Sequence, residues 1–299
     1  HRFLRRPTAV KLIRSDAVTP EILRQFEREV QLTSRLRHPN TIAIYDFGRT
    51  SDNIFYYAME YLEGLTLKEL VSSYGPMPEA RVIHVLKGIC ASLKEAHAAG
   101  LIHRDIKPAN VMLCNVGGMC DVVKVLDFGL VVDVSQAQTP QQGPLLGSVR
   151  FVAPEVISAP GKVDVRSDIY SVGAVAYYLL TGEYVFQAET DLEYQACVVS
   201  KDATPPSIAI DREISPDLER MVLDCLRRRP EERPQSVSEL SVALGKCRAA
   251  GEWGEQRAQA WWTEHGKHCI YKTYVEAARE VAAHAPAGEV RLDTSKRGY

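Results

Sequence analysis

The octet His103-Arg104-Asp105-Ile106-Lys107-Pro108-Ala109-Asn110 is followed, seventeen residues after its asparagine, by the triplet Asp127-Phe128-Gly129. The types and spacing of these residues suit one kind of chemistry. The Asp105 carboxylate is able to accept a proton or to orient a hydroxyl. Lys107, two residues on, brings a positive charge that would neutralise a phosphate in transfer. Asn110 and Asp127 offer oxygen donors, which a hard cation such as Mg2+ prefers. Transfer of a phosphoryl group to a hydroxyl requires this set.

Those residues need two short loops and something rigid to hold them together. Segments 111–113 and 122–126 read as strands of a hairpin turning around Asn115-Val116-Gly117-Gly118. Before them, residues 8–13 have strand composition. Residues 21–37 read as a charged helix, with Ile22, Phe26, Val30 and Leu32 as its apolar positions, broken by His38-Pro39-Asn40. Segments 41–47 and 54–59 are β-rich and flank a polar turn. The first third is therefore a small sheet with one helix. After Gly64 the pattern turns helical. A short helix is predicted at 67–74 and a long one at 78–99, with apolar Val82, Val85, Leu86, Ile89 and Leu93 and with Gly100 as a natural stop. Further helices are predicted at 168–181, 217–226 and 239–244. Residues 136–147, rich in Gln, Pro and Gly, read as a mobile loop. The Ala/Gly content rises around 245–254, where a boundary is placed, and an amphipathic stretch follows at 273–283.

Bulk properties narrow the field. The 299 residues suffice for a large core, as two lobes or as one large domain with an appendage. A net charge of −2 gives no sign of a nucleic-acid or membrane-surface partner. The seven cysteines are odd in number and without CxxC spacing, so they read as reduced thiols of a cytoplasmic protein. The longest apolar run, near 172–180, is too short to span a bilayer. Residue 1 is His rather than Met, which points to a start inside a longer gene product.

With these motifs in hand, the chain over residues 1–248 resembles the protein kinases, specifically bacterial enzymes related to the eukaryotic Ser/Thr type. The resemblance implies an α+β fold of two lobes, a small β-rich one (1–60) over a larger helical one (64–248), with a partly helical tail at 249–299. It implies ATP and Mg2+ as cofactors and protein substrates as partners, with autophosphorylation in trans available and no contact of this segment with nucleic acid or membrane. Thr8-Ala9-Val10-Lys11 is similar to the strand whose lysine holds the α- and β-phosphates of ATP, and Glu29 would pair with Lys11, with Glu27 the competing choice. Met59-Glu60-Tyr61-Leu62-Glu63-Gly64 resembles the hinge: Met59 would line the back of the pocket, and backbone groups of Glu60 and Leu62 would meet adenine. Asp105 becomes the catalytic base or hydroxyl-orienting group, Lys107 its cationic partner of the Ser/Thr branch, and Asn110 and Asp127 the Mg2+ ligands.

Other positions read as framework. Glu155 would form a buried ion pair with Arg233, and Asp168 would brace the catalytic loop through backbone hydrogen bonds. Arg104 marks enzymes whose activation loop is ordered by a phosphate, with Thr139 and then Ser135 as acceptors. Ser148 stands where a threonine is common, and Phe151 where a tyrosine is frequent. The family's glycine-rich loop does not precede Lys11 here, so the resemblance implies a small lobe without its first two strands. It also leaves room for a membrane anchor outside this segment. His265, His268 and Cys269 lack a fourth ligand and read as a solvated turn, Trp261-Trp262 as packing the tail onto the large lobe, and Arg227-Arg228-Arg229 as surface charge. A pseudokinase scaffold is the alternative from another class, and a small-molecule phosphotransferase a third, disfavoured by Lys107 and Ala153-Pro154-Glu155.

Overall fold

The computed structural model describes residues 7–13, 30–50, 54–128 and 149–266. Two apolar cores divide it. The smaller one, Val30, Phe55 and Tyr57 with Ile44, Phe47 and Met59 against them, lies under a three-stranded antiparallel sheet. That sheet contains β1 (Thr8–Ile13), β2 (Ile44–Arg49) and β3 (Phe55–Glu60) in the order β1-β3-β2. Alternation along β3 explains the assignment: Phe55 and Tyr57 turn inward while Tyr56 and Ala58 are only half-buried. The register sets Lys11 directly opposite Tyr57.

The second sheet pairs β4 (Gly64–Thr66) with β5 (Val111–Val116) and β5 with β6 (Met119–Val125). Gly117 and Gly118 turn the hairpin with φ of 59° and 86°, the left-handed backbone that two-residue hairpins demand. Gly64 is needed for a different reason, since a Cβ there would collide with the Leu113 carbonyl oxygen.

The helices carry the larger core. Thr66 and Glu69 form a capping box on α1 (Leu67–Tyr74). Helix α2 (Glu79–Ala98) buries Val82, Val85, Leu86, Ile89 and Leu93, at helical spacing, and the chain leaves it through Gly100 at φ 75°. Short α3 (Pro154–Ser158) precedes α4 (Val165–Thr181), which Asp164 caps and which is buried from Ser167 to Thr181. Helices α5 (Asp191–Ser200), α6 (Pro206–Ala209), α7 (Pro216–Cys225) and α8 (Val237–Lys246) follow. A last helix, α9, occupies 255–266. The strand predicted at 41–47 begins three residues later, at Ile44, and ends at Arg49, because Thr41 makes only an isolated bridge to Val125 and Ile42 donates to Val125 O at 3.0 Å. The 136–147 loop, the 273–283 stretch and most of the 21–37 helix lie outside the described residues.

A buried polar cluster joins α2, β6 and the tail. Arg81 donates to both oxygens of Asp121, from Nε at 2.9 Å and from Nη2 at 2.8 Å. The indole N–H groups of Trp253 and Trp262 donate to Oδ2 and Oδ1 of the same carboxylate at 2.8 and 2.6 Å. Trp261 stacks over the Arg81 guanidinium at 4.0 Å and meets Tyr74 of α1 edge-on. Trp262 belongs to the main core, so the segment at 253–266 packs onto the large lobe. His265 stacks on Trp261 and bonds its carbonyl at 3.0 Å, a packing role.

Candidate active site

Helix α4 positions the loop that bears Asp105. Asp168, fully buried, accepts from the main-chain N–H of His103 at 2.8 Å and of Arg104 at 2.9 Å, and its Oδ2 also meets His97 Nε2 at 2.8 Å. These bonds hold Arg104 in a left-handed conformation, φ 65°, which a non-glycine residue adopts only when its surroundings impose it. His103 is itself buried, with Nε2 on Leu126 O at 2.9 Å and its ring against Phe128. Burial pushes the imidazole pKa down, outweighing the nearby Asp168 charge, so it serves as a neutral strut between the two loops.

That strut sets Asp105, Lys107, Asn110 and Asp127 on adjoining loops. Asp105 Oδ2 receives Lys107 Nζ at 2.7 Å and Asn110 Nδ2 at 2.7 Å. Asn110 Nδ2 also donates to Asp105 O at 2.9 Å. With its NH2 group committed to Asp105, Asn110 keeps its amide oxygen as a metal-donor atom. The Asn110 carbonyl accepts from Leu126 N at 2.8 Å, which ties the first loop to the strand entering Asp127.

Asp127 has φ 46° and a side chain 17% exposed. Its Oδ2 is bound by Lys11 Nζ at 2.8 Å and its Oδ1 by the Tyr57 hydroxyl at 2.6 Å. Lys11, read as a phosphate-holding lysine, thus reaches across the cleft between the two sheets to the read metal ligand. Tyr57 was not among the residues singled out from the sequence. The signal was present: an inward tyrosine on an alternating strand needs a partner for its hydroxyl. Burial, with the Asp127 charge adding to it, raises the phenol well above the usual tyrosine range, so it stays a neutral donor.

Glu60, at the strand that ends in the connection between the lobes, accepts on Oε1 from Lys124 Nζ at 2.7 Å and from Ala43 N at 2.8 Å. Its own N–H donates to Ala43 O at 2.9 Å. Met59 packs against the small core, and Leu62 is half-buried on the connection beyond. The framework pair is in place: Arg233 binds both Glu155 oxygens at 2.8 Å, with Ser167 Oγ on Oε1 at 2.7 Å. Phe151 packs edge-on against both Tyr178 and Tyr184, which stack on each other. Arg227, Arg228 and Arg229 make exposed ion pairs with Asp224, Asp202 and Glu232. Glu29, Gly129, Ser135, Thr139, Ser148, His268 and Cys269 lie outside the described residues.

One loop braced on a buried aspartate, a second tied to it through Leu126, and a lysine from an antiparallel sheet reaching over them make up the site. A model described as "Protein kinase domain" covers residues 2–242. The chain belongs to the protein kinase family. Serine/threonine-protein kinase PknB of Mycobacterium leprae (strain TN) is 36% identical over 246 residues, which cover 81% of this chain and 39% of that protein. Serine/threonine-protein kinase pkn3 of Myxococcus xanthus is 35% identical over 243 residues, covering 79% and 44%. The chain therefore spans well under half the length of these relatives. The solved structure of the Rad53 kinase domain and SCD2 in complex with AMPPNP shares the fold, with a TM-score of 0.62 at 23% identity over 80% of this chain and 82% of that one. The kinase fold has the expected α+β, two-lobed organisation.

Proposed function

We propose that this kinase domain transfers the γ-phosphate of ATP to serine or threonine hydroxyls of protein substrates. The observation that carries the reading is the Asp105 carboxylate, held at 2.7 Å by both Lys107 and Asn110 beside the Asp127–Lys11 pair. Asp105 orients the acceptor hydroxyl and takes its proton, while Lys107 neutralises the phosphate that arrives there. Lys11, half-exposed on a flexible stem, exchanges Asp127 for the α- and β-phosphates when nucleotide enters, and Glu29 is its second partner. The adenine edge meets Met59 and the main chain of Glu60 and Leu62. Since the Glu60 N–H is taken by Ala43, that residue contributes its carbonyl.

The amide oxygen of Asn110 and the carboxylate of Asp127 fit Mg2+, a hard cation bound through oxygen. A cation held by these two residues would supply charge neutralisation to the nucleotide's phosphates. A scaffold-only role is disfavoured because it has no need for a lysine, two aspartates and an asparagine gathered at one cleft. Arg104, with Thr139 and Ser135 as acceptors, supports control by phosphorylation, carried out in trans. Six of the cysteines are free thiols, and burial pushes Cys90 and Cys114 up to about 12, which suits a cytoplasmic domain. No helix among the described residues is long and apolar enough to cross a membrane.

The test is radiolabel transfer from [γ-32P]ATP by the intact protein to itself and to a generic protein substrate. Labelled phosphoserine or phosphothreonine is expected. Absence of label, with Asp105→Asn indistinguishable from the unsubstituted protein, would leave a binding module instead.

A further inference from the structure

The Asp127 carboxylate is held from two sides by donors of different kinds. Lys11 and Tyr57 are direct cross-strand partners in the antiparallel β1–β3 register, so their side chains leave the sheet on the same face, a few ångströms apart. Lys11 Nζ reaches Oδ2 and the Tyr57 hydroxyl reaches Oδ1. The ammonium ends a flexible four-carbon stem and is 36% exposed. The phenol is rigid beyond two torsions, and its ring is locked in the small core with Val30 and Phe55 at 1% exposure. An aliphatic side chain would fill that core position without a polar atom to satisfy. A buried hydroxyl there is tolerated because it has the carboxylate as partner.

We propose that Tyr57 is a positioning residue for Asp127, fixing the Oδ1 edge of the carboxylate so that the Oδ2 edge meets Mg2+ once Lys11 leaves for the nucleotide's phosphates. The inference rests on Asp127 as the Mg2+ ligand. Asp127 carries two donors among the described residues, and a carboxylate has about four lone-pair sites, so the phenol keeps its hydrogen bond while the cation takes the opposite oxygen. Metal-ligating carboxylates depend on such outer hydrogen bonds for their orientation. Loss of one lowers metal affinity by about 10- to 100-fold.

The experiment uses binding rather than turnover. A fluorescent non-hydrolysable ATP analogue (mant-AMPPNP) is titrated into the intact protein, Tyr57→Phe and Asp127→Ala, first without metal and then with increasing MgCl2. For Tyr57→Phe, which keeps the ring and the core packing, metal-free binding is expected within about twofold of the unsubstituted protein. The Mg2+ concentration giving half of the metal-dependent gain is expected to rise about tenfold or more, and a matching melting midpoint confirms the variant's fold. A Tyr57→Phe midpoint equal to the unsubstituted one, with the Mg2+ gain abolished in Asp127→Ala, overturns the positioning role and leaves the ligand reading intact. A gain that survives in Asp127→Ala overturns both. If Tyr57→Phe weakens metal-free and Mg2+-dependent binding equally, the tyrosine is a packing residue and the inference also fails.

Discussion

Asp121 and Asp127 sit six residues apart, one within β6 and one just past its end. Both have positive φ, 56° and 46°, and both have donors on each carboxylate oxygen. There the likeness stops. Asp121 takes four donors, two from Arg81 and one each from Trp253 and Trp262, and neither it nor Arg81 is more than 3% exposed. Among the described residues Asp127 takes two, one of them from a lysine that is 36% exposed. A carboxylate with every lone pair committed to fixed groups is cement, since nothing can enter without breaking a buried ion pair. One with open lone pairs and a movable partner is able to exchange that partner for a cation. Occupancy and mobility of the partners, more than residue type or backbone, separate structure from chemistry on this hairpin.

The contrast is breakable. A large effect is expected at Asp105, the carboxylate beside Asp127. Asp105→Asn should lower kcat about 10²- to 10⁴-fold with nucleotide affinity and melting temperature nearly unchanged, measured by steady-state transfer and by calorimetry. Next comes the closed site. Asp121→Ala leaves the Arg81 charge buried and uncompensated, which costs about 3–5 kcal/mol. A fall of about 10 °C or more in the melting midpoint is expected, with specific activity of the folded fraction retained at low temperature. A smaller cut into the same cluster is Trp262→Phe, which removes a single N–H to a charged acceptor and should cost about 2 kcal/mol in urea unfolding. If Trp262→Phe were neutral, the tail would be decoration and Asp121 less saturated than its geometry implies.

The Glu155–Arg233 pair extends the comparison to a third carboxylate of the closed kind. Burial alone would push the Glu155 carboxyl up, but the hydrogen bonds from Arg233 and Ser167 and the Arg233 charge outweigh burial and hold it below the usual carboxylate range. A group depressed in the folded state contributes stability above its unfolded pKa of about 4.5 and loses it as pH falls through the lower folded value. Glu155→Gln should therefore be less stable near neutrality, with a shallower further loss on acidification below pH ~4.5, seen in melting curves across pH. Equal slopes for both proteins would show that the pair does not couple to acid unfolding.

Much of this was legible in the sequence, for local reasons. The helix at 67–74, the long helix before Gly100 and the Gly117-Gly118 hairpin follow from capping, periodicity and turn chemistry, and the framework roles of Glu155 and Asp168 came with the family resemblance. The helix at Asp191–Ser200 was missed because its face is shallow: Leu192 is 76% exposed and only Tyr194 and Val198 are buried. Short Pro154–Ser158 lay inside a motif read for the framework role of Glu155. Neither the Arg81–Asp121–tryptophan cluster nor the Tyr57–Asp127 bond was legible, since their members are 40 to 141 and 70 residues apart. Only the packing of β6 against α2 and of the small sheet over the loops brings them together. The run at 54–59 reads only as β-rich, and with Tyr56 and Tyr57 adjacent it gives no hint of which hydroxyl turns inward or of the acceptor it finds.

The central claim is tested most directly by one isosteric change made twice. Asp127→Asn and Asp121→Asn are compared in the same phosphoryl-transfer assay, each with its melting curve, well below either midpoint. The account predicts that Asp127→Asn abolishes transfer and melts like the unsubstituted protein, whereas Asp121→Asn melts well below it and transfers phosphate normally. Transfer surviving in Asp127→Asn, or lost in folded Asp121→Asn, would contradict it.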